Sequence, residues 1–367
     1  MTVISPRQRN MWWALPLLTI VWLITGAMIF GALVRVNLWE VAPGSAEQVA
    51  SRFSFDDAAL KQIDRYKTSS PVLFVTAYGS KLSALDALVG VLDPDVEVLT
   101  RDEKFGATTP GEQQRLGFQA MASAKQIAEY VALNRLGYDV SISYGRLIIE
   151  QLVCEKVPRP KSACLQLSLG DTITAFDGVE IPILSDLFPL MTDYAPGDIV
   201  RVTIRPHKSS ASVTKEVELI ASPDDPGRTI IGVWPADTRT VKLPFEVGID
   251  TNSIGGPSAG LAFTLALLDE LTPGELTGGI KVAATGTIDG DESIGVIGAL
   301  RQKTVAVKAS GAKVFFVPSS QSKEELDAAR RVAGSQLRIA PVANLGEVLA
   351  ILKEMGGSDI TNDTIEL

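Results

Sequence analysis

Ser258 and Lys303 are the two residues of this sequence whose surroundings best suit chemistry. Ser258 lies in Gly255-Gly-Pro-Ser-Ala-Gly260, between a predicted strand and an apolar helix. Glycines let a backbone turn tightly and approach a ligand closely. At a helix N-terminus, free N–H groups and the helix dipole favour negative charge. An acyl-transfer nucleophile needs that setting, because its tetrahedral intermediate carries an oxyanion. The same run also reads as a serine capping a helix after a glycine-proline turn. Lys303 weighs on the choice, because it shares a helical face with Leu300 and Val307. Arg301 and Lys308 point elsewhere. A lysine on an apolar stripe either snorkels its ammonium to water or sits desolvated, with a lowered pKa, as a neutral base. The one histidine, His207, falls between two predicted hairpin strands and reads as a solvated turn residue. With no histidine nearby, a Ser–Lys pair is the natural way to activate Ser258.

The elements that must position this pair read as an α/β region. Pro244–Asp250 alternates apolar and polar residues, as a strand does. Ser258–Leu271 is an apolar helix that must be buried. Val282–Ile288 and Ser293–Ile297 flank Asp289-Gly290 and read as a hairpin. An amphipathic helix Ala299–Ser310 follows, then strand Val314–Val317, helix Lys323–Val332, strand Leu337–Val342 and helix Leu345–Lys353. Upstream lies a mainly β stretch. It holds Val140–Ser143, Leu147–Leu152, a strand ending at Asp177-Gly178, a short helix Ser185–Met191, and a hairpin of Val200–Arg205 with Thr214–Ile220 turning at Lys208. Earlier still, Pro71–Tyr78 reads as a strand, Asp93-Pro-Asp and Thr108-Thr-Pro-Gly111 as turns, and Ser123–Leu136 as a helix that Gly137 ends.

Met11–Val34 contains no Asp, Glu, Lys or Arg, and its length suffices to cross a bilayer core as a helix. Trp12 and Trp13 suit an interfacial belt. A cleaved signal peptide is the alternative, though its apolar core is ordinarily shorter. Arg7 and Arg9 precede the segment, which places the N-terminus inside and the bulk of the chain outside the cytoplasm. Cys154 and Cys164 bracket a short loop with two prolines; in that location they are expected to form a disulfide, the alternative being two unpaired thiols.

Composition narrows the functions further. The chain has 367 residues, a net charge of −9, one histidine and two cysteines. An acidic chain lacks the basic face that a general nucleic-acid binder needs. A histidine-rich metal site and a zinc ribbon are excluded, and no metal or cofactor is expected. The sequence contains no Walker-type phosphate loop, so no ATP engine is expected.

Two resemblances add to this reading. Leu169-Gly-Asp-Thr-Ile-Thr-Ala-Phe-Asp-Gly-Val-Glu-Ile181, with Ser185–Met191 and Pro196-Gly-Asp198, resembles bacterial PDZ domains over roughly 137–235. Such domains bind peptides by strand addition, with backbone N–H groups holding a terminal carboxylate. The matching loop here would be Leu136-Gly137-Tyr138, a poor match; Gly137 reads equally well as a helix end. Gly256-Pro-Ser-Ala-Gly260, Ala284-Thr-Gly-Thr-Ile288, Ile297-Gly-Ala-Leu-Arg-Gln-Lys303, Ala309-Ser-Gly-Ala312 and Phe316-Val-Pro318 resemble the proteolytic domain of Lon-type serine proteases. That resemblance implies Ser258 as nucleophile, Lys303 as dyad lysine, Thr285 as a supporting hydroxyl, and Gly256 and Pro257 as part of the nucleophile turn. Thr287 and Gly255 stand where the family often has acidic residues, which bears on contacts around the dyad.

The whole resembles membrane-anchored, PDZ-containing Lon-like proteases without the ATPase part. The expected fold is multidomain: an N-terminal transmembrane helix, a PDZ-like mainly β domain and a C-terminal α/β Lon-type proteolytic domain. The expected division is an anchor at 11–34, a juxtamembrane and connecting region at 35–136, a PDZ-like domain at 137–235, a peptidase domain at 243–353 and a mobile tail at 356–367. The expected function is an ATP-independent serine endopeptidase of the cell membrane, single-pass, with its catalytic part extracytoplasmic. Its partners would be unstructured or membrane-tethered protein and peptide substrates, and homo-oligomerisation stays open. The alternative is a peptide-binding adaptor with an inactive protease-like fold.

Overall fold

A computed structural model describes residues 14–57, 59–106, 109–154, 158–207, 209–222 and 227–360. Arg7, Arg9, Trp12, Trp13, Thr108, Lys208 and the tail beyond Ile360 lie outside the described residues.

The charge-free segment forms one helix, Ala14–Leu33. Its 19 residues Leu15–Leu33 are long and apolar enough to cross a membrane, at a rise of about 1.5 Å per residue. None of that stretch is buried against the rest of the chain.

A strand, Arg35–Gln48, starts two residues after this helix. It enters a seven-stranded sheet ordered Arg338–Val342, Val314–Pro318, Val282–Ala284, Val72–Tyr78, Arg35–Gln48, Lys81–Ser83, with Glu97–Thr100 also pairing with Arg35–Gln48. Its first four strands are parallel. Val72–Val75 and Val314–Pro318 are buried throughout, as parallel strands covered on both faces must be. One cover is helix Gly260–Leu271, whose every residue is buried. The other includes helices Leu300–Ala309 and Lys323–Ala333.

Residues 35–136 therefore differ from the connecting region expected of them. Four of their strands, Arg35–Gln48, Val72–Tyr78, Lys81–Ser83 and Glu97–Thr100, belong to the sheet, and Val49, Val72, Phe74, Met121 and Ile127 join the core around helix Gly260–Leu271. The helix expected at Ser123–Leu136 begins much earlier and runs Pro110–Arg135. Thr109 is its N-cap, Pro110 opens it, and Glu112 closes a capping box. The run read as a turn was thus a helix start, because Thr and Pro followed by Glu satisfy the first orphan N–H groups.

The β unit is built on a second, six-stranded antiparallel sheet ordered Val213–Glu218, Ile199–Arg205, Thr172–Phe176, Ser141–Leu152, Val233–Lys242, with Val179–Glu180 off its side. Its core is separate and includes Leu147, Ile173, Phe176, Val202 and Val217. Asp177 and Gly178 both take positive φ, which closes the expected Asp-Gly turn. His207 sits in the expected turn; its backbone N–H donates to Asp171 Oδ1 at 2.9 Å. The expected disulfide is present, Cys154 to Cys164, with Cα atoms 5.7 Å apart.

Of the mobile tail expected at 356–367, residues 356–360 are described and they pack on the fold. Ser358 N–H donates to the Glu275 carbonyl at 2.9 Å, and Ile360 packs on the main core. The peptide groups of the turn after helix Gly260–Leu271 need partners, and Ser358 supplies them at Glu275.

Candidate active site

Ser258 lies in the turn that opens helix Gly260–Leu271, two residues before its first turn rather than within it. Gly256, at φ +97°, supplies a backbone conformation that residues with a Cβ rarely adopt. Pro257 follows, and its carbonyl accepts from Gly260 N–H at 3.2 Å.

Three neighbours fix this turn. Helix Pro110–Arg135 presents Gly117, whose carbonyl accepts from Gly256 N–H at 2.7 Å. A Cβ on Gly255 would lie 3.1 Å from the Gly117 carbonyl carbon, so the two backbones meet with no side chain between them. On the other side, the Ser258 carbonyl accepts from Gly286 N–H at 2.9 Å and from Thr285 Oγ1–H at 3.0 Å.

Those last two bonds explain a departure from the expected hairpin. The run Val282–Ile288 is not one strand: Val282–Ala284 stays in the main sheet, and Thr287–Ile288 pairs with Ile294–Gly295. The break falls at Thr285-Gly286, where the backbone turns its N–H groups to Phe316 and Ser258 instead of along one ladder.

Lys303 reaches the same place from helix Leu300–Ala309. Leu300 and Val307 are buried on its face, as expected. Arg301 instead pairs with Asp95 at 3.0 Å, and Lys308 donates to the Val332 carbonyl at 2.8 Å. Ala299, at φ +59°, turns the chain into this helix. Gln321 clamps the approach: its side chain accepts from Ile297 N–H at 2.7 Å and donates to Ile297 C=O at 3.1 Å.

Lys303 is 5% exposed. Its Nζ lies 2.8 Å from Ser258 Oγ and 3.3 Å from Thr285 Oγ1. Burial pushes its pKa from 10.5 down to about 7, since a low-dielectric interior disfavours the ammonium. The snorkelling alternative is therefore not what the fold adopts. Ser258 and Lys303 line one cleft of about 880 Å³. Its walls include Gly44 and Ser45 from strand Arg35–Gln48, Tyr78 from strand Val72–Tyr78, Met121 from helix Pro110–Arg135, and Val296 before the lysine helix.

The structure does not bring Leu136, Gly137 and Tyr138 to a peptide groove. Leu136 is buried in the main core. Gly137 N–H donates to the Asn134 carbonyl and Tyr138 N–H to that of Leu133, both at 3.0 Å, the bonding of a glycine-terminated helix. Tyr138 stacks edge-on against Phe245. The β unit has a groove elsewhere, about 470 Å³, between Leu187, Phe188 and Met191 on one wall and Ile230, Ile231 and Trp234 on the other. Sequence reasoning missed it. Ile231-Gly232-Val233, with Gly232 at φ +87°, was the available signal, and it lies far along the chain from the start of the β unit.

Comparison with known proteins bears on the C-terminal part. Residues 250–354 match the Lon protease C-terminal proteolytic domain. The Lon protease of Chloroflexus aggregans is 25% identical over 167 residues, 43% of this chain and 20% of that protein. The Lon protease of Buchnera aphidicola subsp. Schizaphis graminum is 34% identical over 99 residues, 27% of this chain and 12% of that protein. The chain thus spans a fifth or less of the length of these curated relatives. The β unit is similar to the PDZ domain of an SdrC-like protein from Listeria monocytogenes, at 21% identity and TM-score 0.21, covering 26% of this chain and 92% of that domain. The matched stretch, residues 250–354, holds both Ser258 and Lys303.

Proposed function

We propose that this chain is an ATP-independent, membrane-anchored serine endopeptidase in which Ser258 is the nucleophile and Lys303 its base. The observation that carries this reading is the 2.8 Å approach of a buried lysine amine to the Ser258 hydroxyl. Neutral Lys303 donates one N–H to Thr285 Oγ1, whose own proton is committed to the Ser258 carbonyl. The amine lone pair is then free to accept the Ser258 O–H. As Oγ bonds to the scissile carbonyl carbon, Nζ takes the proton, and the start of helix Gly260–Leu271 favours the oxyanion. The ammonium returns the proton to the leaving amine as the C–N bond breaks. Water, deprotonated by Lys303, then releases the acyl group and restores the serine.

The absence of a phosphate-loop motif from the sequence supports ATP-independence. Substrates are accordingly unstructured or membrane-tethered segments that enter the cleft extended. The span Leu15–Leu33 supports the anchor. Arg7 and Arg9 ahead of it, with the Cys154–Cys164 bond, support an extracytoplasmic catalytic part. The groove of the β unit takes an apolar peptide end, with Arg228 at its rim facing a terminal carboxylate.

The test is cleavage of casein by the full chain in detergent, without nucleotide, beside a Ser258→Ala variant. Cleavage by the parent alone is expected. Equal cleavage by both, or strict dependence on ATP, overturns the reading.

A further inference from the structure

We propose that helix Ala84–Leu92 lies in the lipid leaflet at the C-terminal end of the apolar span, as a second, shallow membrane contact. This rests on the reading of that span as an anchor.

The helix is turned inside out for a protein in water. Its small residues, Ala87 and Gly90, face the fold and are buried. A Cβ on Gly90 would meet Val98 at 3.1 Å and Val96 at 3.4 Å, so nothing larger fits on that side. Its large residues face out: Leu88, Val89, Val91 and Leu92 are 63, 57, 71 and 77% exposed. Leu85, Leu88, Val89 and Leu92 recur at the spacing of one helical face. A contiguous apolar face of this kind marks a contact surface.

Its position says what covers it. A Cβ on Gly31 of the span would lie 3.5 Å from Leu85 Cβ, and Ala84 N–H donates to the Val34 carbonyl at 2.9 Å. The apolar face is therefore continuous with the exposed surface of the span. At nine residues the helix is about 14 Å long, too short to cross a bilayer and suited to lying in its surface. Cations stand at the same level. Arg35 pairs with Ser83 in the sheet and its Nη1 donates to the Lys81 carbonyl at 3.0 Å. Lys81 Nζ lies 5.2 Å from the Trp39 ring centre. An arginine and a lysine grouped there suit the headgroup layer. Three acids stand near: Asp86 caps the helix start through Ser83, Asp93 at the helix end accepts from Asp95 N–H at 2.8 Å, and Asp95 pairs with Arg301.

The test uses the full chain carrying a nitrobenzoxadiazole label on one introduced cysteine, Leu88→Cys or Leu92→Cys, in phosphatidylcholine vesicles. Ile24→Cys in the span and Glu324→Cys on an exposed helix serve as controls. Lipids brominated high on the acyl chain should quench the labels at 88 and 92 by about twofold or more, as shallow insertion requires, and leave the label at 324 unchanged. Quenching at 24 without quenching at 88 or 92 overturns the inference alone. No quenching at 24 overturns the anchor reading and the inference with it. Protection of position 88 that disappears as protein is diluted into excess lipid shows a second copy on this face, and also overturns it.

Discussion

Lysine 303 is the residue at which the chemistry can be read as a titration. A lysine at pKa 10.5 is neutral in about one molecule in three thousand at pH 7, whereas at a pKa of about 7 half of the molecules carry the free amine. Below that midpoint each pH unit removes about nine-tenths of the remaining base. Peptide cleavage should therefore fall about tenfold between pH 6 and pH 5 and level off above pH 8. Lys303→Arg should be inactive across that range, since guanidinium keeps its proton. Lys303→Met separates catalysis from folding. The folded state holds the lysine pKa below its unfolded value, so between about 7 and 10.5 the unfolded chain binds more protons and the parent gains stability as pH rises. Below about pH 7 the parent carries the full penalty of a buried ammonium, on the order of a few kcal/mol. At pH 6 the methionine variant should accordingly melt at a higher temperature than the parent while cleaving nothing. Calorimetry at pH 6 and pH 9 with cleavage rates over the same range supplies the readings. A flat rate profile from pH 5 to 9, an active arginine variant, or a methionine variant less stable than the parent at pH 6 would each refute the argument.

Thr285→Val removes the hydroxyl between Lys303 and the Ser258 carbonyl; kcat should fall about tenfold, the worth of one such bond, with KM unchanged. Gly255→Ala places a methyl against the Gly117 backbone at 3.1 Å; it should lower stability by about 1–3 kcal/mol and displace the serine, as melting and cleavage rates would show. Gly117→Ala faces the same loop at an ordinary 3.6 Å; it should keep activity and gain up to about 1 kcal/mol from helix propensity. Cys154→Ser with Cys164→Ser should lower the stability of the β unit by about 2–3 kcal/mol, the value for so short a loop, without slowing cleavage of a short peptide; denaturant melts and peptide assays decide.

The sequence made the Ser258–Lys303 pair legible because both residues sit on local patterns. Ser258 follows a glycine-proline turn into an apolar helix, and Lys303 interrupts an apolar helical face. The support around them was harder to see. Gly117 reaches the Ser258 turn from a helix 139 positions upstream of Gly256, and a glycine inside a helix has no periodic signature to point at its partner. The strands Arg35–Gln48 and Val72–Tyr78 enter the seven-stranded sheet by long-range pairing, which no window of sequence contains. The opening at Thr109-Pro110 was legible in principle: the capping box with Glu112 outweighs the turn signal of Pro-Gly. Leu136-Gly137-Tyr138 misled because a helix-ending glycine and a carboxylate-binding loop share the same residue types.

Strand Arg35–Gln48 carries one more implication. It leaves the end of the span after a single residue and runs without interruption to Gly44 and Ser45, which wall the cleft. With the span seated in a bilayer, no flexible linker separates membrane from cleft. Ten steps of extended chain, from Arg35 to Ser45, cover at most about 33 Å, and that length is a ceiling on the height of this wall above the lipid. Under the proposed function, a tethered polypeptide would therefore be cut only within a fixed zone near its own membrane exit. A stalk of about ten extended residues reaches that zone, and a bond held well beyond it must fold back to be reached. Enzyme and substrate would also share a surface rather than a volume, so encounter depends on lateral diffusion and on stalk length more than on affinity for any one side chain.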